Sequence, residues 1–306
     1  MLKKLLKHEY KAVGKFLTMS AAFMIIMTIV GAIGIYILTP EATVYSGYVQ
    51  TYSENIMDGT AAEVSFDFSS LLAGLYVMVY VVAAFLLTAG TYIYLWMRFD
   101  KSMYGPQGYL TNTLPTTPAR LILAKLTTAI SWVLISIALL IGSIFTLAFV
   151  GNAASGNKLT NNIPMIIDHL KQAGISIPGM IALYSLLFLS AIIMSVLMMY
   201  GASALGQLAK KSRVIATIAF YFAMTMVLNV VGTFTMSIAF RIFSQKEGVS
   251  LSGSGRLANG DYIEQIGYIY RAVNGTALIF LILIIAGSAI LYFLTHYVTS
   301  KRLNLE

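Results

Sequence analysis

The side chains that usually bind metals or act as catalytic bases are sparse in this sequence of 306 residues. Its three histidines are His8, His169 and His296, and no pair has the H-E-x-x-H spacing that places two imidazoles on one helix face. The chain contains no cysteine, which excludes disulfides, thiolate metal sites and a cysteine nucleophile. Serines are frequent in the apolar segments, but none has a histidine or aspartate partner nearby in sequence, so we interpret them as packing groups.

The closest approach to a phosphate-binding loop is GNAASGNK, at residues 151–158. Its two glycines have the required separation, but Asn157 stands where the loop needs its lysine, and no Gly-Lys-Ser/Thr sequence follows. We therefore expect this chain to bind no cofactor of its own. If ATP is used, a partner chain has to bind it.

The elements that would position any site are strongly apolar. The chain is 58% hydrophobic and only 10% charged, with a mean hydropathy of +0.80, whereas soluble domains carry about 25% charged residues. This composition predicts an all-α integral membrane protein. Six segments reach the length of about 20 apolar residues that a bilayer requires. They cover residues 16–38, 70–96, 121–150, 179–208, 214–240 and 272–297.

The basic residues predict the orientation of these segments. Of the 20 lysines and arginines, 14 lie at the two termini and in the second and fourth loops, and basic residues favour the cytoplasmic side. We therefore expect a single transmembrane domain over residues 1–306, in the cell membrane, with both termini and the loop at 98–120 in the cytoplasm. The segment at 241–271 would then be extracellular. The net charge of +8 follows from this topology and does not indicate nucleic-acid binding.

Residues 2–15 are predicted to form an amphipathic helix. On a helical wheel the amino-terminal lysines fall within an arc of about 120°, opposite the apolar residues. These lysines are Lys3, Lys4, Lys7, Lys11 and Lys15. Such a helix lies in the headgroup layer of the bilayer, with its lysines near anionic lipid. A plain positive anchor for the first span fits the same residues, and the two interpretations are compatible.

The predicted spans contain no aspartate, glutamate or arginine, and Lys125 and His296 lie near span ends, where long side chains can reach water. Ion-driven carriers usually need buried ionisable groups, so their absence disfavours an ion-coupled carrier. The clearest polar stripe is Thr225, Asn229 and Thr233, on one face of the fifth span. Both an interhelical hydrogen bond and a lining of a substrate path fit this stripe.

A polar insert, YGPQGYLTNTLPTTPARLILAK at residues 104–125, separates the second and third spans. Its first two prolines disfavour helix at the residues before them, whereas Pro118 suits the first turn of a new helix. Residues 107–113 have room for one or two helical turns, which would present Tyr109 and Leu110. A short, stiff element of this kind predicts a docking site for a soluble partner.

This inner loop, together with the amino-terminal KLLKHEYKA and the two-span hairpin, resembles the permease subunits of ABC-2 type ATP-binding cassette transporters. The likeness is to small bacterial permeases whose loop reads close to E-G-Y-L-x-x-T-L-P. It implies an exporter subunit that pairs with a second permease chain, identical or a paralogue. It also implies a separate ATPase subunit, holding ATP and Mg²⁺, that docks on the 98–120 loop.

The resemblance implies a set of docking residues, with the contact end at 107–110. They are Tyr104, Gln107, Gly108, Tyr109, Leu110, Thr113, Leu114, Pro115 and Arg120. An acidic residue is common in the family at the position of Gln107. A charged contact to the ATPase would therefore be replaced here by a neutral hydrogen bond.

A second class of function fits the same loop. A non-transporting membrane protein, such as an assembly or immunity factor, would also use it to dock a soluble partner. A neighbouring gene for an ATPase with a Walker motif would favour the transporter, and its absence would favour the alternative.

Overall fold

The computed structural model describes residues 2–57, 68–105, 107–108, 117–154, 163–209, 212–246 and 259–301. These residues form seven α-helices, besides a helical turn at 107–108, and contain no β-strand. The helices are α1 (Leu2–Met57), α2 (Phe68–Met103), α3 (Pro118–Ala154), α4 (Ile163–Gln172), α5 (Ile177–Gly206), α6 (Arg213–Lys246) and α7 (Asn259–Lys301).

Six of the helices, all except α4, are long and apolar enough to cross a membrane. The hydrocarbon layer offers no hydrogen-bond partners, so a chain crosses it with its backbone bonds satisfied internally, as in a helix. The stretches are Leu5–Ile37, Gly74–Met103, Pro118–Ala153, Ile177–Gly206, Arg213–Lys246 and Ile266–Ser300. Each overlaps one predicted segment, so the prediction of six spans is confirmed in helix length and composition.

Helices α1 and α7 are longer than the apolar segments from which they were predicted. Helix α1 runs without a break to Met57, so residues 2–15 form its first turns and the helix continues past the first apolar segment, which ends at residue 38. Helix α7 begins at Asn259, so it starts well before the last apolar segment, at residue 272. Hydropathy measures where a segment prefers lipid, and backbone hydrogen bonding continues past that limit. Helix α4 is a short helix of ten residues between two of the long helices.

The chain divides into two units. Unit 1 consists of Met1–Glu9, Tyr94–Ile130 and Ile163–Glu306, and unit 2 consists of Tyr10–Ile93 and Ser131–Asn162. In unit 2, parts of α1, α2 and α3 pack around a core that includes Met24, Tyr80 and Leu87. The Tyr80 hydroxyl is hydrogen-bonded to Ser143.

In unit 1, helices α5, α6 and α7 pack against one another. Helices α5 and α6 are in tight contact at Gly206, where a Cβ atom would stand 1.9 Å from the Thr217 Oγ1 and 3.0 Å from the Thr217 Cα. Only glycine fits there without moving α6. The Ala202…Gly206 spacing in the sequence is typical of close helix contacts, and this one lies inside the chain.

Replacing Gly206 should loosen this contact. We expect Gly206→Ala to lower the free energy of unfolding by about 1–3 kcal/mol, as overpacking of a tight contact does. Gly142 is the matched control, since nothing lies within 4 Å of its Cβ position. Gly142→Ala should be neutral or stabilising by up to about 1 kcal/mol, because alanine favours helix. Thermal unfolding in detergent measures both, and equal effects of the two variants would contradict the close contact.

Candidate docking site at the helix ends

The loop between α2 and α3 begins with a tight turn. The amides of the two residues after Met103 both donate hydrogen bonds to the Asp100 carbonyl, at 2.9 and 3.1 Å. The Gly108 amide then donates to the Gly105 carbonyl at 2.7 Å. A Cβ atom on Gly108 would stand 2.5 Å from the Met103 carbonyl oxygen, which is backbone and cannot easily move. Gly108 therefore allows the chain to fold back against the end of α2.

Tyr104 anchors this turn to the last helix. Its side chain is buried, and its hydroxyl lies 3.0 Å from the Thr299 Oγ1 near the end of α7. Its ring meets Phe99 edge to face, with 5.9 Å between centroids. Burial raises the pKa of Tyr104 to about 12; the Thr299 hydrogen bond opposes this rise, and the Asp100 charge adds to it. The hydroxyl is therefore protonated at neutral pH and remains able to donate.

The end of α2 is joined to the end of α5 by three side-chain contacts at successive positions. They are Trp96 Nε1 to Ser203 Oγ (2.7 Å), the stacked rings of Phe99 and Tyr200 (3.7 Å between centroids) and Gln207 Nε2 to Asp100 Oδ1 (3.1 Å). The positive charge of Arg213, at the start of α6, also acts on the Asp100 carboxylate. Movement of the end of α2 would therefore be transmitted to α5.

An ion pair joins the start of α1 to α2 and α3. The Lys125 Nζ lies 2.7 Å from the Glu9 Oε1, and the Arg98 Nε lies 3.5 Å from the Glu9 Oε2. The Lys125 side chain is only 5% exposed. A buried ammonium is costly unless a counter-charge accompanies it, so Glu9 is the residue that allows Lys125 to be buried. The expectation that Lys125 reaches water is therefore wrong for this chain.

These contacts gather several helix ends at one end of unit 1, which we call the loop end. It contains the first turns of α1, the ends of α2, α5 and α7, and the starts of α3 and α6. The first turns of α1, the end of α7 and the turn at 104–105 thus lie together.

The predicted docking residues divide into three groups. Gln107 and Arg120 are exposed, the second in the first turn of α3, where its amide donates to the Thr117 carbonyl at 3.0 Å. Tyr104 and Gly108 are buried and position the turn. The others lie outside the described residues: Tyr109, Leu110, Thr113, Leu114 and Pro115.

The predicted polar stripe lies on the outer side of α6. Asn229 and Thr233 are exposed, and Thr225 is half-buried. The Asn229 Nδ2 donates one hydrogen bond to the Thr225 carbonyl at 2.8 Å, within α6. The Thr225 hydroxyl likewise donates to the Tyr221 carbonyl at 2.8 Å.

Sequence reasoning missed most of the residues that build the loop end. They include Glu9, Phe99, Asp100, Tyr200, Gln207 and Thr299. Glu9 could have been identified from the sequence, because it lies on the face of α1 opposite the lysines, among apolar residues. A carboxylate on a face that packs inside the protein predicts a buried lysine or arginine as its partner.

Comparisons of this chain with protein-family models, curated proteins and solved structures found no match. Among the described residues, no three histidine, aspartate or glutamate side chains are grouped so that they could hold a metal ion. The site is therefore defined by its own geometry, a stiff turn fastened to several helix ends.

The Glu9–Lys125 pair should contribute strongly to stability. We expect Lys125→Met to lower the free energy of unfolding by about 2–4 kcal/mol, because it leaves a partly buried carboxylate with Arg98 alone. Glu9→Gln should cost a similar amount. The double variant buries neither charge, so its loss should be smaller than the sum of the two. Thermal unfolding of the purified protein provides the measurement.

Lys101 is the control for this cycle, since it is exposed in the last turn of α2. Lys101→Met should change stability by less than about 0.5 kcal/mol. Strictly additive losses for Glu9 and Lys125, or a Lys125→Met variant as mild as Lys101→Met, would contradict the pair.

Gly108→Ala should disturb the turn after α2. The added methyl group would press on the Met103 carbonyl, at a cost of about 1–3 kcal/mol, and should loosen the amides that bond to Asp100. We expect faster trypsin cleavage after Lys101. Gly34→Ala is the control, because its Cβ position has nothing within 4 Å. Unchanged cleavage in Gly108→Ala would show that the turn tolerates a side chain.

Proposed function

We propose that this chain is the membrane-spanning subunit of an ABC-2 type transporter, an exporter driven by a separate ATPase subunit that docks on the 98–120 loop. The ATP and Mg²⁺ belong to that partner. The observation that carries the proposal is the attachment of the turn after α2 to several other helices. Tyr104 joins it to α7, and the contacts of Asp100 and Phe99 join the end of α2 to α5.

A docking element is useful to a transporter only if a push on it moves the spans. At the loop end, movement of α2 acts on α5 through the Asp100–Gln207 bond and on α1 through Arg98 and Glu9. Such connections allow closure of ATPase subunits to change the access of a path through the membrane. The exposed position of Gln107 suits a contact with the partner through a neutral hydrogen bond.

The proposal orients the molecule in the cell membrane. Its basic residues support a cytoplasmic location for both termini and the loop end. The first turns of α1 would then lie at the cytoplasmic membrane surface. The alternative, a non-transporting assembly or immunity factor, predicts a soluble partner at the same loop that is not an ATPase.

The proposal also includes a second permease chain, identical or a paralogue. Asn229 and Thr233 are exposed on a helix that is long and apolar enough to span the membrane. Polar groups facing hydrocarbon are costly, so such groups usually face a partner helix or a water-filled path. This supports Thr225, Asn229 and Thr233 as part of a path completed by that second chain.

Truncating the side chains of the proposed contact end should prevent docking of the ATPase without preventing the chain from folding. We expect Tyr109→Ala plus Leu110→Ala to abolish co-purification of the ATPase and to reduce ATP-dependent transport at least tenfold, because both side chains belong to the proposed contact end. The purified chain alone should hydrolyse no ATP. Affinity purification from native membranes, with mass spectrometry of the bound proteins, identifies the partner, and reconstitution with it measures transport.

The matched control is Tyr262→Ala plus Ile263→Ala, an equivalent pair in the first turns of α7, at the helix terminus opposite Thr299. It should leave binding and transport unchanged. Intact coupling in the loop variant would remove the docking assignment. A co-purified soluble partner without ATPase activity, lost in the loop variant, would replace the transporter with the alternative.

A further inference from the structure

One row of side chains along α1 changes from basic to apolar while remaining exposed. Lys7, Lys11, Lys15, Met19 and Phe23 are spaced four residues apart, so they follow one another along the helix surface. All five are exposed, and Met19 is 76% exposed. A helix passing from the headgroup layer into the hydrocarbon shows this order of side chains. The boundary would lie between Lys15 and Met19.

The opposite side of the same helix is packed. Val13 and Leu17 are each only 2% exposed. At about 100° per residue, Lys11 and Val13 lie about 160° apart around the helix, as do Lys15 and Leu17. The lysine row therefore faces outward, away from the part of α1 that packs in unit 2.

Trp132 lies beside this row of lysines. The rings of Tyr10 and Trp132 lie 6.3 Å apart, and the Tyr10 hydroxyl is hydrogen-bonded to Ser131. Tyr10 directly precedes Lys11, so the Trp132 ring is close enough to the row to report on the lipid beside it.

We propose that Lys11 and Lys15, extended by Lys7 one turn earlier, bind the headgroup phosphates of anionic phospholipids. Ammonium groups at this depth attract anionic lipid, by about fivefold in local preference for each lysine. Neutral lipid offers no such attraction. The ligand is a lipid of defined charge, and its binding requires neither an ATPase nor ATP.

The experiment uses Trp132 as a reporter, because the chain has only two tryptophans. The full chain with Trp96→Phe is placed in nanodiscs of equal phosphatidylglycerol and phosphatidylcholine, with bromine on the acyl chains of one lipid or the other. Brominated phosphatidylglycerol should quench Trp132 about twofold or more better than brominated phosphatidylcholine. Molar salt should remove this preference by screening, and a preference that survives salt would overturn the proposal.

The second part of the experiment replaces the three lysines of the row. The variant Lys7→Gln, Lys11→Gln, Lys15→Gln should quench equally with both brominated lipids, whereas arginine at all three positions should retain the preference. The matched control replaces the exposed lysines Lys101, Lys171 and Lys246 by glutamine and should behave as the parent. An unchanged preference in the row variant, or an equal loss in the control, would overturn the proposal. Size-exclusion chromatography verifies that each variant is folded.

A final arm distinguishes membrane lipid from soluble phosphate. Millimolar glycerol 3-phosphate added to the parent nanodiscs should leave the quenching preference unchanged, because the membrane holds its headgroups at far higher local concentration. Complete loss of the preference would assign the row to soluble phosphates and overturn its assignment to lipid.

Discussion

A lysine that lies about 10 Å inside a membrane-length helix must be neutralised before that helix can pack, and much of the loop end follows from this requirement. Lys125 meets the carboxylate of Glu9, which holds the first turns of α1 in place. The same carboxylate lies near Arg98 on α2. The buried charge thus joins three helices, α1, α2 and α3. The backbone of the same residue adds α5, because the Lys125 carbonyl accepts a hydrogen bond from the Tyr200 hydroxyl at 3.3 Å.

The aromatic residues extend this arrangement toward the loop. Tyr200 is stacked on Phe99, and Phe99 in turn meets the edge of Tyr104. Flat and edge-on ring contacts restrict sliding between helices more than aliphatic contacts do, because their energy depends on ring orientation. The turn that carries Gln107 therefore stands on a rigid base. Two exposed residues, Gln107 and Arg120, border the segment proposed for docking.

The helices and their membrane character could be predicted from the sequence, because twenty consecutive apolar residues have few alternative structures. The start of α3 at Pro118 was also predictable, since it depends on local sequence. The helical part of 39–57 was not predictable in this way. Its residues are too polar for a hydropathy criterion, which responds to lipid preference and not to backbone hydrogen bonding.

The interior of the loop end could not be predicted in the same way. Glu9 and Lys125 are 116 residues apart, and Asp100 and Gln207 are 107 apart. Periodicity shows which face of a helix is apolar, but it does not show which neighbour the face meets. The sequence predicted Tyr104 as a docking side chain, whereas its contacts with Phe99 and with the distant Thr299 bury it.

The bond between Tyr104 and Thr299 also has a consequence for the order of assembly. The two residues are 195 positions apart, and Thr299 lies in α7, which the ribosome produces long after the turn. Until α7 has emerged, the turn after α2 lacks its contact with Thr299. A chain cut short before α7 would present this turn without that support, so the geometry of the turn depends on a helix that is made much later.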